Sequence, residues 1–205
     1  MKQISLAQSL LLVSLACLSL FGAHAEDRDA PAGDTLYETR SVEQYRFLLG
    51  GFSGHYTQWE RTGLERFDGL SAKIWVDEVY GNEDDRWASI VRFSFWEPGS
   101  TDTQPKWSLM FTADRATKRI VPNYLYGEDH FRLDTDFPLK QPISLTLLVN
   151  PTGGFLVSLD GQVYELPGDM KVGRVEVLAS GVDARVDPFT FEQRIQPAAT
   201  DAAIP

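Results

Sequence analysis

Cysteine is almost missing from this chain: Cys17 is the only one in 205 residues. Its surroundings read as a leader that is removed. Lys2 gives a short positive start, Leu10–Phe21 (LLLVSLACLSLF) is an uncharged apolar run, and Ala23-His24-Ala25 has the small-x-small pattern of a signal-peptidase site. Ser14-Leu15-Ala16 makes a poor lipobox, and the chain stays apolar after Cys17 where a lipidated cysteine would lead into a polar tether. Cleavage after Ala25 is therefore expected, with a periplasmic or secreted destination. The mature chain then has no disulfide, no zinc–thiolate site and no cysteine nucleophile. Its stability has to come from its core.

Long apolar runs and positive charge are also scarce. The leader run falls well short of the roughly 20 residues that cross a bilayer, so no membrane span is expected. Lys and Arg number 19 against 29 Asp and Glu, and losing Lys2 takes the formal net charge from −10 to −11. Such a surface disfavours nucleic acid and anionic lipid, whose binding rests on neutralising phosphates. It also weighs against polyanionic ligands unless a local basic patch overrides the global field. There is no repeat, low-complexity block or internal linker. No glycine-rich phosphate loop, nucleophile elbow or metal-ligand cluster appears either, so no cofactor, metal or catalytic set is assigned.

What remains after the leader is one domain's worth of chain, large enough to bury roughly 70% of its unfolded surface. Residues 26–34 (EDRDAPAGD) read as a disordered lead, 35–195 as the domain, and 196–205 (QPAATDAAIP) as a disordered tail. Ser41-Val-Glu-Gln44 matches a capping box, and Val42, Tyr45, Leu48 and Leu49 fall at helical spacing, which predicts one short N-terminal helix ending at Gly50-Gly51.

Beyond that point the apolar period switches to two. Val91, Phe93 and Phe95 share one face, while Arg92, Ser94 and Trp96 share the other. Trp107, Leu109 and Phe111 line up, as do Ile143, Leu145, Leu147 and Val149, then Phe155, Val157 and Leu159, then Val175, Val177 and Ala179. Between Val149 and Gly161 the sequence VNPTGGFLVSLDG supplies two turns, the second an Asp-Gly pair suited to a type I′ hairpin. Many alternating strands and tight turns predict an all-β protein, an antiparallel two-sheet sandwich. A lipocalin-like barrel, opened by Gly51-Phe-Ser-Gly-His-Tyr56, is the alternative.

The runs LTLLVNPTGGFLVSLDGQVYEL, ERFDGLSAKIWVDEVYG with RWASIVRFSFWEP, and RVEVLASGVDARVDPFTFEQRI resemble strand units of the concanavalin A-like lectin/glucanase group of jelly-roll sandwiches. The likeness covers roughly Arg66 to Ile195 and implies that fold. The family's site patterns do not carry over with it. Its retaining glucanases use Glu-x-Asp-x-x-Glu, and Glu83-Asp-Asp-Arg-Trp-Ala88 lacks the last Glu. A galectin-like Trp with Glu three residues on would need Glu at Thr62, after Trp59. Asn82–Asp85 reads as a solvated acidic turn.

Two sets of residues remain as candidates. Trp75 and Trp96 sit on the polar faces of their strands beside Asp77 and Arg92, a mixture of flat aromatics and directional polar groups that suits a sugar. His130, Arg132 and Asp134 alternate along a second stretch, with Tyr124 and Tyr126 upstream. A base, a cation and a phenol on one face is what β-elimination of a uronate requires, although Pro122 interrupts that strand. The ligand set is therefore Trp75, Asp77, Arg92, Trp96, Tyr126, His130 and Arg132. The expected function is non-catalytic carbohydrate or envelope-glycan binding. A polysaccharide lyase or glycoside hydrolase, or a protein–protein or inhibitor module with a protein partner, are the alternatives.

Overall fold

The computed structural model describes residues 39–51, 55–80, 88–151, 153–168 and 171–195. In chain order the strands are β1 (Thr39–Gly50), β2 (Tyr56–Thr62), β3 (Gly69–Val79), β4 (Ile90–Trp96), β5 (Trp107–Asp114), β6 (Arg119–Tyr126) and β7 (Asp129–Arg132). Then come β8 (Phe137–Pro138), β9 (Ile143–Val149), β10 (Phe155–Leu159), β11 (Gln162–Leu166), β12 (Arg174–Ser180) and β13 (Val182–Arg194). They form two antiparallel sheets. One runs β1-β13-β3-β9-β10-β11, and the other β2-β12-β4-β5-β6-β7 with β8 on β6. Neither sheet closes on itself, so the fold is a sandwich and the barrel alternative falls.

The alternation read from the sequence is the alternation of burial. Leu70, Ala72, Ile74 and Val76 of β3 point inward with 4% exposure or less, and so do Val91, Phe93 and Phe95 of β4. The core is rich in rings that join the two sheets: Trp107 lies 4.5 Å from Phe155 and Phe93 lies 6.3 Å from Phe189 between ring centroids. Stacked and tilted rings at such distances add to the burial itself. The β9–β10–β11 meander is also as expected. Asn150 N–H donates to Gly154 O at 3.0 Å, and Asp160 and Gly161 both have positive φ, 48° and 90°, as a type I′ turn demands.

The expected N-terminal helix is instead strand β1, paired along its length with β13. Two register shifts interrupt the ladder, between Ser41 and Glu43 and between Tyr45 and Phe47. Glu43, Tyr45, Phe47 and Leu49 nevertheless keep a period of two, and the helical spacing arose because two outward residues, Val42 and Leu48, are apolar. Phe47 and Leu49 turn inward, whereas Val42 and Leu48 stand 49% and 79% exposed. Pro122 does not break β6 either. It is paired with Phe111 of β5 on one side, but on the other it sits between the β8 and β7 pairings, where no strand lies alongside, and its carbonyl accepts the Leu133 N–H at 3.0 Å. An edge gap is where a residue without an N–H is tolerated.

Gly69 marks a close approach between β3 and β9. A Cβ there would stand 2.3 Å from the Leu147 carbonyl oxygen, a backbone atom held by the sheet. Gly69→Ala is expected to lower stability by about 1–3 kcal/mol in urea unfolding, the usual range for overpacking. At the far end of β3, Tyr80 N–H donates to Gly181 O and its phenol donates to Asp183 on β13. That bond, followed by burial and the Asp183 charge, lifts the phenol from 10.0 to about 12. The folded chain favours the neutral phenol. The stabilisation is therefore complete below the ordinary tyrosine pKa and is lost as pH rises through the folded value. An ultraviolet absorbance titration is expected to show one tyrosine ionising late, and Asp183→Asn to return it toward the ordinary range.

Candidate functional site

The sandwich separates the residues that the sequence grouped. Trp75 and Asp77 lie on the outer side of the six-stranded sheet, while Arg92 and Trp96 lie on the outer side of the other. His130 and Arg132 share that second face, at the exposed edge strand β7. Tyr126 does not join them. It pairs with Asp129, so Leu125 faces the same side as His130, and Tyr126 packs against the core. Tyr124 also turns inward, stacks on Phe131 at 4.7 Å, and has its phenol pKa raised by burial and then by Asp129. Asp134 lies beyond the end of β7. The base, cation and phenol expected for β-elimination are thus on opposite faces. The Glu83–Ala88 and Asn82–Asp85 stretches lie, except for Ala88, outside the described residues.

The three tryptophans weighed from the sequence have different surroundings. Trp59 is half-buried and packs 4.9 Å from Tyr45 and 4.7 Å from Phe47, closing the core. Trp75 is half-buried beneath the Arg185 guanidinium, 4.3 Å from its ring. Trp96 is only 3% exposed, with Arg174 stacked on it at 3.7 Å. Neither Trp75 nor Trp96 presents both ring faces to solvent, and an Arg over an indole is itself a stabilising contact.

Register builds the outer face of the second sheet. One row across the strands reads Gln58, Leu178, Arg92, Met110, Asn123, Arg132, and the next reads Glu60, Glu176, Ser94, Ser108, Leu125, His130. Ser94, Ser108, Asn123 and Glu176 are buried although they point away from the core, the two serines at 0% and 1%. Longer neighbours close over them. Arg92 Nη2 donates to Glu176 Oε1 at 3.2 Å, with 27% and 11% of the two side chains exposed, and Arg92 Nε has no acceptor. The centre of this face is sealed polar structure, not an open platform.

The opening lies at its end. After β4 the chain turns at Glu97–Ser100, closed by the Ser100 N–H on Glu97 O at 3.2 Å. The following loop, up to Lys106, bounds a hollow of about 320 Å³. Its walls carry Ser100, Asp102, Thr103 and Gln104, the Lys106–Glu97 ion pair at 2.7 Å, and Trp96 at the base. Three contacts hold the loop in place. Asp102 N–H donates to Ser100 Oγ at 3.2 Å, and Arg174 Nη2 donates to the Asp102 carbonyl at 3.2 Å. Gly173 abuts Pro98 so closely that a Cβ would meet its Cα at 2.4 Å. The indole N–H of Trp96 is buried and has no protein acceptor.

Of the expected site residues only Trp96 borders this hollow. Arg174 and the Glu97–Lys106 loop were missed. The alternation of Val175, Val177 and Ala179 already placed Arg174, Glu176 and Leu178 outward, and that was the available signal. Among the described residues no group of three or more His, Cys, Asp or Glu could hold a metal ion, and no helix is long and apolar enough to cross a membrane.

The class defined by this geometry is an antiparallel two-sheet β-sandwich with a polar hollow at one end. No protein-family model matches the sequence and no curated protein matches it. Solved structures do. An alginate lyase from Pseudomonas aeruginosa is 19% identical, over 63% of this chain and 66% of that one, just under two thirds, with a TM-score of 0.45. A sheep galectin is 13% identical over 64% and 96%, with a TM-score of 0.43. A carbohydrate-binding module from Bacillus subtilis is 10% identical over 72% and 91%, with a TM-score of 0.38. Overlaps this partial carry nothing about the activity of this chain.

Glu176→Ala would leave Arg92 without its carboxylate under a closed surface. A loss of about 2 kcal/mol is expected in urea unfolding, less than the ~3–5 kcal/mol of a fully buried pair because Arg92 keeps some contact with water. Replacing both partners with Leu is expected to recover most of it.

Proposed function

We propose that this protein is an exported, non-catalytic carbohydrate-binding module that takes a neutral sugar into the hollow at Trp96. One observation carries the reading: Trp96, whose buried indole N–H has no protein acceptor, lines a hollow whose walls are hydroxyls, carboxylates, an amide and an ammonium. A buried donor without a partner costs about 1–3 kcal/mol, and a ligand oxygen that accepts from it recovers that cost. Asp102 and Glu97 suit sugar hydroxyl donors, while Gln104, Ser100 and Thr103 can both give and accept. Such dense, directional hydrogen bonding beside one aromatic edge matches a polyhydroxylated ring better than an apolar or highly charged ligand. The separation of Tyr126 from His130 supports binding over elimination. The leader-like first 25 residues support export.

A glycan array followed by calorimetry is the test. At least one neutral oligosaccharide is expected to bind. Trp96→Phe is expected to weaken it roughly tenfold, with a modest loss of thermal stability from the smaller buried ring under Arg174. Gln104→Ala is expected to weaken it as well. Silence across neutral glycans, or full affinity in Trp96→Phe, would remove the reading.

A further inference from the structure

A second hollow, of about 570 Å³, opens at the other end of the sandwich. The length of β5 separates it from the Trp96 hollow, about 24 Å at ~3.4 Å per residue. Its charges come from three elements: Asp77 and Glu78 from β3, Arg115 and Lys118 from the β5–β6 turn, and Lys140 from the β8–β9 connection. No ion pair joins these acids and bases, although they line one space. Seven cations of the described residues have carboxylate partners; Arg115, Lys118 and Lys140, like Arg40, Lys73, Arg132, Lys171 and Arg185, form no ion pair with a described residue. What sets these three apart is that they line one hollow together, in a chain with ten more acidic than basic residues. This is the kind of basic patch that overrides a global negative field locally.

The backbone that carries these groups is held in place. Asp114 Oδ1 accepts the N–H groups of Ala116 and Thr117 at 2.8 and 3.3 Å, which fixes the turn carrying Arg115 and Lys118. Lys118 O accepts the Leu139 N–H at 3.1 Å, and Val76 O accepts the Lys140 N–H at 3.0 Å. Backbone bonds therefore tie the three elements together. Both lysines sit in the left-handed region, at φ 55° and 65°, where a side chain other than Asn, Asp or Gly is unusual. Strained positions of that kind persist only where the surroundings hold them.

A simple anion would enter against Asp77 and Glu78, and a simple cation against three positive groups. A ligand bearing both charges satisfies both sets. We propose that this hollow binds a small zwitterion, its carboxylate held by Arg115, Lys118 and Lys140, its ammonium by Asp77, and its methylenes against Val79 and Leu139. Charge-assisted hydrogen bonds at both ends set the orientation. The proposal is independent of the sugar reading.

The test is an NMR titration of the full chain with γ-aminobutyrate, acetate and methylammonium, each alone. Saturable shifts at the Thr117, Lys118 and Lys140 amides are expected with γ-aminobutyrate, at roughly tenfold lower concentration than with either singly charged probe. Lys118→Asn/Lys140→Asn removes two charges with a residue that accepts the left-handed backbone, so it is expected to keep the fold and lose the binding. Asp77→Asn is expected to bring γ-aminobutyrate down to the level of acetate. Trp96→Phe is expected to change nothing here, which keeps this outcome separate from glycan binding. Acetate or methylammonium binding as tightly as γ-aminobutyrate would overturn the proposal, as would the absence of saturable shifts in a variant-free sample.

Discussion

One residue carries the chain between the two layers. Strands β12 and β13 belong to opposite sheets, and only Gly181 lies between them. Its φ of +62° belongs to the left-handed region, and a Cβ would press on Ser89, 2.9 Å from Oγ and 3.3 Å from Cα. The crossing is also hydrogen-bonded on both sides: Gly181 O accepts the Tyr80 N–H and Val182 O accepts the Gly51 N–H, each at 2.9 Å. Because β12 lies between β2 and β4, and β13 between β1 and β3, this one-residue turn ties an interior strand of one sheet directly to an interior strand of the other. The inward residues of each strand then have only one layer in which to be buried. Register follows, since a slip by one residue would carry every buried side chain to the water side.

The candidate sites depend on that constraint in an indirect way. Arg92 meets Glu176 because β4 and β12 pair in a register that the core dictates, not because the ion pair selects it. The same register stacks Ser94 and Ser108 between longer side chains, and those close over them. A face sealed in this way offers little to a ligand. Recognition is left to the ends of the sandwich, where turns project beyond the ladders and their backbone is held by side-chain caps and cross-loop bonds. Loops on a rigid scaffold are the usual place for binding.

The fold was largely legible because burial on one face forces a period of two, and β4, β5, β9, β10 and β12 show it without interruption. β1 was misread because two of its outward residues, Val42 and Leu48, are apolar and fall at helical spacing with inward Tyr45 and Leu49. The site was legible only in part. Alternation assigned Arg92 and Trp96 to one face correctly, but it applies within a strand and not across a turn. The two-residue turn Gly127-Glu128 puts Tyr126 opposite Asp129, so the phenol and His130 end on different sides. Nor does alternation say which outward face of which sheet a residue joins. Trp75 and Trp96 look equivalent in the sequence and lie on opposite sides of the molecule.

The overall charge conceals a similar distinction. A net of −10 describes the field far from the surface, where salt screens it within about 8–10 Å. Inside a hollow, the nearest few groups decide. At the Trp96 end, Lys106 is paired with Glu97 and Arg174 sits over the indole, which leaves Asp102 as the one carboxylate of the lining without an ion pair. At the opposite end the acids and bases are kept apart by the elements that carry them, and the field across the hollow remains. The two ends of one sandwich therefore present different surroundings, one a hollow of hydroxyls, an amide and a paired charge beside Trp96, the other a hollow lined by acids and bases that form no ion pair.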